Sequence, residues 1–247
     1  MADHASHEGR VAVVTGAGRG IGAAIAAEFA SRGAQVVCVD LQPPEGTVAA
    51  IGAAAIGVAA DVSDREGWAA VARAAEAAFG DVGIVVNNAA FYPNRPIEAL
   101  DIETWRKTMA VNLDAHFLSA QQFIPAMRRR RWGRFVGISS NSVGLTLKGM
   151  SHYIASKMGI IGFMRGLAND VANDGITCNA VLPGLTHTVA SEAQGEEQRR
   201  ATWQAQAIQR FAEPADIVGP VMFLTTEDAA FMTGQALVVD GGQYRLG

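Results

Sequence analysis

The stretch Arg10–Asp40, RVAVVTGAGRGIGAAIAAEFASRGAQVVCVD, decides the fold. It opens on an apolar, β-branched run ending at Thr15, which reads as a strand covered on both faces. The turn Gly16-Ala17-Gly18-Arg19-Gly20-Ile21-Gly22 leads into an Ala-rich helical stretch, Gly20–Arg32, and a second apolar run, Gln35–Asp40, ends in an acid. Glycines there let backbone N–H groups approach a pyrophosphate, and the dipole of the helix favours its charge. Glycines also make ordinary turns. The pattern gains its weight from context: the first strand of the chain before it, a helix and an acid-tipped strand after it.

The same alternation runs along the rest of the chain. Strands are expected at Arg10–Thr15, Gln35–Asp40, Ala55–Asp61, Ile84–Asn88, Arg134–Ser140, Ile176–Leu182 and Ala236–Asp240. Helices are expected near Gly20–Arg32, Asp64–Phe79, Asp101–Arg131, Ser151–Val171 and Pro214–Leu224. Strand–helix repetition implies an α/β fold, a single doubly wound Rossmann-type domain over residues 1–247. Its seven-stranded parallel sheet would carry helices on both faces. The segment Asp101–Arg131 is too long for one comfortable helix, so a break is expected near Asn112. Residues 186–209 have weak periodicity, and a connection that long is often a lid; a substrate lid is expected at about residues 185–210.

Composition excludes several partners. The 247 residues carry a net charge of −4, against the basic surface that nucleic acid or an anionic membrane requires. No apolar run approaches the ~20 residues needed to span a bilayer. The N-terminus, MADHASHEGR, has no apolar core of a secretory signal, so a cytoplasmic protein is expected. Cys38 and Cys178 lie in apolar runs on strands four places apart in the usual order, about 19 Å at ~4.8 Å per strand, too far for a disulfide. There is no HExxH, no CxxC and no clustered ligand set, so no metal site is expected. Arg128–Arg131 read as a basic helix end that suits the C-terminal dipole.

Two groups of residues point to chemistry. Asp40, at the carboxyl end of the second strand, can accept hydrogen bonds from an adenosine ribose diol and would repel a 2′-phosphate. Arg19 pulls the other way, since it could pair with that phosphate. Asp40 would lie closer to the 2′ position, so the expected cofactor is NAD. Asp61-Val62 would either bond the adenine or, through Asp61, cap the next helix. Tyr153 and Lys157 are four apart in a helical stretch and leave it on one face. Ser140 ends the fifth strand on the carboxyl edge, where ligands of such sheets bind. His152 would point about 100° away from Tyr153 around the helix, which favours a structural role. His187, in the presumed lid, could contact substrate.

Together with Asn112, these residues resemble the short-chain dehydrogenase/reductase family. The motifs stand in family order from about Arg10 to Gly242: Thr15–Gly22, Asn87-Asn88-Ala89, Asn112, Ser140, Tyr153-Ile154-Ala155-Ser156-Lys157, Asn179, Pro183-Gly184 and Asp240-Gly241-Gly242. Two departures stand out. Ala90 replaces the usual glycine and slightly narrows the cleft. Ser140 and Gly144 are one residue further apart than is common, which makes Ser142 a minor rival for the serine role.

The resemblance implies an NAD-dependent alcohol dehydrogenase or ketone reductase with Asn112, Ser140, Tyr153 and Lys157 as catalytic residues. A free tyrosine has a pKa of about 10, and Lys157 with the nicotinamide would lower it so that Tyr153 takes the alcohol proton. Ser140 would hydrogen-bond the substrate oxygen, Lys157 would hold the nicotinamide ribose, and Asn112 would anchor a water linking Lys157 to solvent. Cofactor contacts are expected from Gly16, Gly18, Arg19, Gly20, Ile21, Gly22, Asp40, Leu41, Asp61, Val62, Asn88, Ala89, Ala90, Tyr153, Lys157, Pro183, Gly184, Leu185 and Thr188; Asn179 would brace structure instead. Substrate contacts are expected from Ser140, Ser142, Tyr92, Met150, Tyr153, Leu185 and Trp203, with Phe91 nearby. Such walls suit an aryl or cyclic secondary alcohol, and the run from Ser139 to Asp240 looks most like members acting on 1-phenylethanol and similar ring-bearing alcohols. Family members commonly form tetramers, and Ala155, Gly162 and Gly166 offer a small-residue surface for close helix approach. The rival readings are an NADPH-dependent carbonyl reductase and a non-catalytic cofactor sensor or scaffold, which would typically lack the Tyr or Lys. An enoyl reductase is disfavoured by the close Tyr–Lys spacing, and an epimerase or dehydratase would need a longer C-terminal substrate domain.

Overall fold

A computed structural model describes residues 6–188 and 195–245. Seven strands, β1 (Val11–Thr15), β2 (Gln35–Asp40), β3 (Ala55–Ala59), β4 (Ile84–Asn87), β5 (Gly133–Ile138), β6 (Ile176–Pro183) and β7 (Ala236–Val239), form one parallel sheet. Its order is β3-β2-β1-β4-β5-β6-β7, the arrangement expected from the sequence. The helices are α1 (Gly20–Ser31), α2 (Glu45–Ile51), α3 (Arg65–Ala78), α4 (Ile102–Met109), α5 (Ala115–Arg130), α6 (Ser151–Val171), α7 (Glu196–Gln204) and α8 (Pro214–Leu224).

Side chains alternate across each strand, so the continuous apolar runs serve two cores. Val13, Val37, Val85 and Phe135 pack with Trp68, Phe123, Met127, Ile160 and Met164 of α3, α5 and α6. Val14, Val36, Cys38 and Val86 pack on the other face with Ile25 and Phe29 of α1 and Ile217, Val221 and Met222 of α8. Each such side chain contributes about 1.5–3 kcal/mol on burial, which is why both faces must be covered by helices. Cys38 and Cys178 are free and buried in these cores. Local signals set the helix starts. Asp64 accepts from the Gly67 amide at 2.6 Å, Asp101 accepts from the Thr104 amide at 2.6 Å, and Glu213 and Asp216 cap α8 reciprocally.

Three details depart from the sequence reading, and a fourth refines it. The break expected near Asn112 takes the form of a single π turn, Ala110–Asp114, which joins the short α4 to the longer α5 with helical dihedrals at both ends. Strand β5 stops at Ile138, because Ser139 and Ser140 swing out to feed a 3₁₀ turn, Asn141–Gly144. Helix α2, which the Pro43-Pro44 pair hides, is pinned by the Thr47 hydroxyl donating to the Ala17 carbonyl at 2.7 Å. The expected lid contains α7, while its residues 189–194 lie outside the described residues.

Strand order reverses between β1 and β4, which opens a crevice at their carboxyl ends. Below the sheet the N-terminal segment is anchored by His7, whose Nε2 pairs with Thr225 Oγ1 at 2.9 Å and whose ring meets Phe29 edge-on. Burial, then the charges of Arg32 and Arg10, pushes the His7 pKa down to about 4. Burial, then Lys157, pushes His116 down to about 3.

Both imidazoles stay neutral in the folded protein but charge near pH ~6.5 in the unfolded chain. The unfolded state therefore binds more protons below that pH, and stability falls as pH drops, by up to ~1.4 kcal/mol per pH unit for each histidine. Urea midpoints measured at about pH 7 and about pH 5 should decline, and the decline should shrink in a His116→Leu variant. Midpoints unchanged across that window would contradict this.

Candidate active site

The crevice is built from side chains that stitch β1 to β4 and from glycines that let backbone close in. Thr15 Oγ1 accepts the amides of Asn88 at 2.9 Å and Ala89 at 3.0 Å. The Asn88 side-chain amide donates to the Thr15 carbonyl at 2.9 Å and the Gly16 carbonyl at 3.3 Å. A Cβ on Gly22 would overlap the Gly16 carbonyl, and one on Gly16, at φ 63°, would come within 2.8 Å of the Asn88 amide. No residue with a side chain fits at either place.

Asp40 sits against this turn. Its Oδ2 accepts from the Gly18 amide at 2.9 Å and its Oδ1 from the Leu41 amide at 2.8 Å, with Leu41 itself exposed. Arg19 is exposed at the start of α1, and its guanidinium bears on Tyr92 across the crevice, where it opposes the rise of that phenol's pKa. Ile21, the residue between Gly20 and Gly22, packs at the edge of the second core. Thr188, from the segment after β6, reaches back over the turn: a Cβ on Gly20 would lie 3.2 Å from its methyl group. Pro183 ends β6 and Gly184 donates to the Val239 carbonyl at 2.9 Å, which sets the start of that segment. A side-chain-free cradle at a helix N-terminus, a carboxylate at the tip of β2 and a covering segment fit a dinucleotide. Ala90 is exposed on the same edge. Two expected contacts fit less well. Val62 is buried with its carbonyl held by the Trp68 indole at 2.8 Å, and Asp61 Oδ1 is taken by the Ser63 amide and hydroxyl at 2.8 and 2.6 Å. The cap of α3 is Asp64, not Asp61.

Tyr153, Lys157, Ser140 and Asn112 converge on the crevice. The Lys157 side chain is buried; its Nζ donates to the Ile138 carbonyl at 2.7 Å and lies 5.6 Å from the Tyr153 ring centroid. Ser139 Oγ donates to the Lys157 carbonyl at 2.9 Å, which fixes α6 against the end of β5. Ser140 Oγ accepts from the Ser142 amide at 3.1 Å. Asn112, fully buried in the π turn, accepts from the Phe91 amide at 2.7 Å and donates to the Phe91 carbonyl and Ser156 Oγ, both at 3.0 Å. Both of its side-chain protons are used, so a water on Asn112 would have to donate, either to the second lone pair of Oδ1 or to the main-chain carbonyl.

The expected lowering of the Tyr153 pKa is reversed in the protein alone. Burial pushes the phenol up to about 12 against a hydrogen bond from Ser140, with Tyr92 adding to the rise. Burial also brings Lys157 down to about 7, so near neutral pH the lysine is only partly charged.

Of the expected substrate wall, Tyr92 is at the mouth, half-exposed with its ring centroid 5.7 Å from that of Tyr153. Met150 directly precedes α6, Leu185 follows Gly184, and Trp203 lies in α7; all three are half-buried. Ser142 is different: it is buried and its hydroxyl is sealed from solvent, so it backs the loop and leaves Ser140 facing the cleft. His187 pairs with Glu213 at 3.4 Å rather than with the Tyr153 group. Arg128 and Arg131 pair with Asp174, and Arg130 with Asp81. Sequence reasoning missed the straps behind Tyr92. His152 Nε2 meets the Pro93 carbonyl at 2.9 Å, the Arg95 amide donates to Gly149 at 2.9 Å, and Asn94 donates to Lys148 at 3.0 Å. These partners are more than fifty residues apart, and no local pattern announces them.

Residues 16–243 match the family model described as enoyl-(acyl carrier protein) reductase. The chain is 36% identical over 241 residues to the 3-oxoacyl-[acyl-carrier-protein] reductase FabG of Vibrio cholerae, covering 97% of this chain and 99% of that one. It is 35% identical over 246 residues, 95% of each chain, to a Rhizobium meliloti protein described as the galactose dehydrogenase GalD. Among solved structures, one described as a short-chain alcohol dehydrogenase from Sinorhizobium meliloti 1021 superposes with a TM-score of 0.92 at 33% identity, covering 97% of this chain and 98% of that one.

Proposed function

The chain belongs to the short-chain dehydrogenase/reductase family of oxidoreductases, and from that premise we propose that it moves a hydride between NAD and a small secondary alcohol or ketone bearing an aryl or cyclic group. The observation that carries the reading is Tyr153 beside the buried Lys157, with Ser140 at the same carboxyl edge of the sheet. When bound, the dinucleotide supplies the hydride acceptor or donor; the protein's residues bind, orient and move the proton. The glycine turn and the α1 N-terminus hold the pyrophosphate, Asp40 the adenosine ribose, Lys157 the nicotinamide ribose, and Thr188 and the Leu185 backbone the carboxamide.

The Tyr153 hydroxyl exchanges the proton with the substrate oxygen. Ser140 accepts from the Ser142 amide, and its O–H, which bonds the Tyr153 phenol in the protein alone, turns to the substrate oxygen and stabilises developing charge. With its pKa pushed to about 12, Tyr153 is a proton donor near neutral pH, which suits ketone reduction; alcohol oxidation needs the phenolate, whose population grows as pH rises. Tyr92, Met150, Leu185 and Trp203 give the pocket apolar and aromatic walls, which favours ring-bearing substrates. The proton geometry serves a 3-oxoacyl ketone equally well, and the FabG relatives make that class the second reading. The site lies within one domain, under a lid at about residues 185–210, in a protein we place in the cytoplasm.

A homotetramer completes the proposal. Ala155, Gly162 and Gly166 form an open stripe along α6, with no atom within 4 Å of a Cβ placed at either glycine. Phe117 and Trp105 are exposed on the neighbouring helices, and Phe231 is fully exposed beside β7. Light scattering at micromolar protein should give about four times the 25.9 kDa chain mass. A mass of one chain would rule the assembly out.

Incubation with NAD and a panel of aryl, cyclic and 3-hydroxyacyl substrates should yield NADH, faster at alkaline than at neutral pH for oxidation. Tyr153→Phe should lose turnover by about 10²–10⁴-fold while keeping NADH binding, since it removes only the proton-transfer group. Substantial residual turnover would remove Tyr153 from its role, and best turnover on the 3-hydroxyacyl substrate would select the second reading. Asp40→Ala should erode the preference for NADH over NADPH in a fluorescence titration by roughly tenfold, about the worth of one charged contact. An unchanged ratio would place cofactor selection elsewhere and favour an NADPH-dependent carbonyl reductase.

A further inference from the structure

The residues that follow β7 fold back onto the loop that carries Ser140. Asp240 is buried at 4% exposure, and its carboxylate collects four donors. Oδ1 accepts from the amides of Gly242 at 3.0 Å and Gln243 at 3.1 Å. Oδ2 accepts from the amide of Tyr244 at 2.7 Å and from Asn141 Nδ2 at 3.1 Å. Asn141 Nδ2 also reaches Gln243 Oε1 at 3.1 Å. Gly241 and Gly242, at φ 67° and 84°, supply the reversal that a side-chain-bearing residue would resist. The reversal lays the Tyr244 ring on Gly144, where a Cβ would overlap it.

Asn141 and Gly144 are the two ends of the 3₁₀ turn that directly follows Ser140, and Ser142, within that turn, donates its amide to Ser140 Oγ. A Cβ on Gly184 would lie 2.7 Å from that of Asp240, so the Asp240 backbone and Cβ are wedged against the turn after β6. Ser140 itself stands beyond β5, whose last ladder-like bond is the Ser139 amide to the Val181 carbonyl at 2.8 Å. The sheet therefore stops one residue short of the serine, and beyond the Ser139 bond to α6 and the packing of Val143 on the core, the serine loop is held by the segment Asp240–Tyr244.

We infer that Asp240–Tyr244 is a clamp that positions Ser140, with Asp240 acting through Asn141 and Tyr244 acting through Gly144. Neither residue touches the reacting atoms. Hydrogen bonds to a carboxylate are roughly twice as strong as neutral ones, and four of them on a buried group leave it little freedom. A misplacement of about 1 Å at a group that orients substrate costs on the order of 100-fold in rate, so a clamp at this distance has catalytic consequence. The inference rests on the reading that Ser140 orients the substrate oxygen.

Four substitutions test it, read by steady-state kinetics, NADH fluorescence titration and hydrogen exchange of the segment 139–145. Asp240→Asn and Tyr244→Ala should lower kcat by about 10–100-fold with the NADH Kd within about twofold of wild type, and should speed exchange in 139–145. Tyr244→Phe, which keeps the ring, should restore both. Gly144→Ala should lower kcat by colliding with Tyr244, and adding Tyr244→Ala to it should recover part of the loss, a coupling that two independent defects would not show. Unchanged kcat and unchanged exchange in Asp240→Asn and Tyr244→Ala would overturn the clamp, as would equal losses of kcat and NADH binding, which mark general unfolding. Should wild type turn over no alcohol or ketone, the functional reading fails by itself, and local exchange in the same variants still decides the clamp.

Discussion

The hydroxyl of Thr15 holds the place where the sheet changes direction. Strands β1 and β4 are ladder partners only as far as Val14 and Val86, and past that point their chains diverge toward opposite walls of a crevice. The amides of Asn88 and Ala89 would be left without partners there, at a cost of about 1–3 kcal/mol each where water is excluded. One threonine oxygen takes both, and the Asn88 side chain returns two bonds to the Thr15 and Gly16 carbonyls. The glycine turn therefore has a fixed floor. With that floor set, Gly22 must be side-chain-free, α1 must start where it does, and Asp40 meets the Gly18 amide.

A second constraint lies across the crevice. The Lys157 amine is drawn almost wholly out of water, with the Ile138 carbonyl as its hydrogen-bond partner. Burial moves its pKa down, and burial with Tyr92 moves that of Tyr153 up, so the uncharged form of each is favoured. Such a pair costs stability, and the surrounding packing must hold it: Ser139 on the Lys157 carbonyl, Asn112 on Ser156, Ser156 on the Tyr153 carbonyl. The π turn at Ala110–Asp114 belongs to this support, since it lets Asn112 point inward without ending the helix.

What could be read from the sequence follows from range. The strands were legible because a parallel sheet covered on both faces needs near-continuous apolar runs, as in Val36-Val37-Cys38-Val39. The Tyr153–Lys157 pair was legible because helical spacing is local. Boundaries slipped where tertiary bonds decide them: Ser139 and Ser140 have strand-like neighbours but leave the sheet to form the turn at Asn141. The interruption near Asn112 was legible, but its form was not, because nothing in Ala110–Asp114 distinguishes a widened turn from an open one. Ser142 was expected at the substrate, yet a serine two residues from another gives no sign of which one is sealed inward. Helix α2 was hidden by prolines that turn out to sit before it.

The same distinction separates chemistry from selectivity in this molecule. The groups proposed to handle the proton and cradle phosphates stand on strand ends and helix turns whose geometry is set within a few residues. The Tyr92 segment, by contrast, is strapped at both ends by distant partners, Asn112 on one side and His152, Lys148 and Gly149 on the other. A strapped loop keeps a defined shape, but the shape depends on the straps rather than on the scaffold. Relatives with the same fold can therefore differ in substrate through residues 91–95, 145–150, 185–188 and 195–204, which lie outside the sheet. That is the physical reason the oxidoreductase class is readable in this chain at about 35% identity to relatives described for different substrates, while the substrate must be sought in the walls.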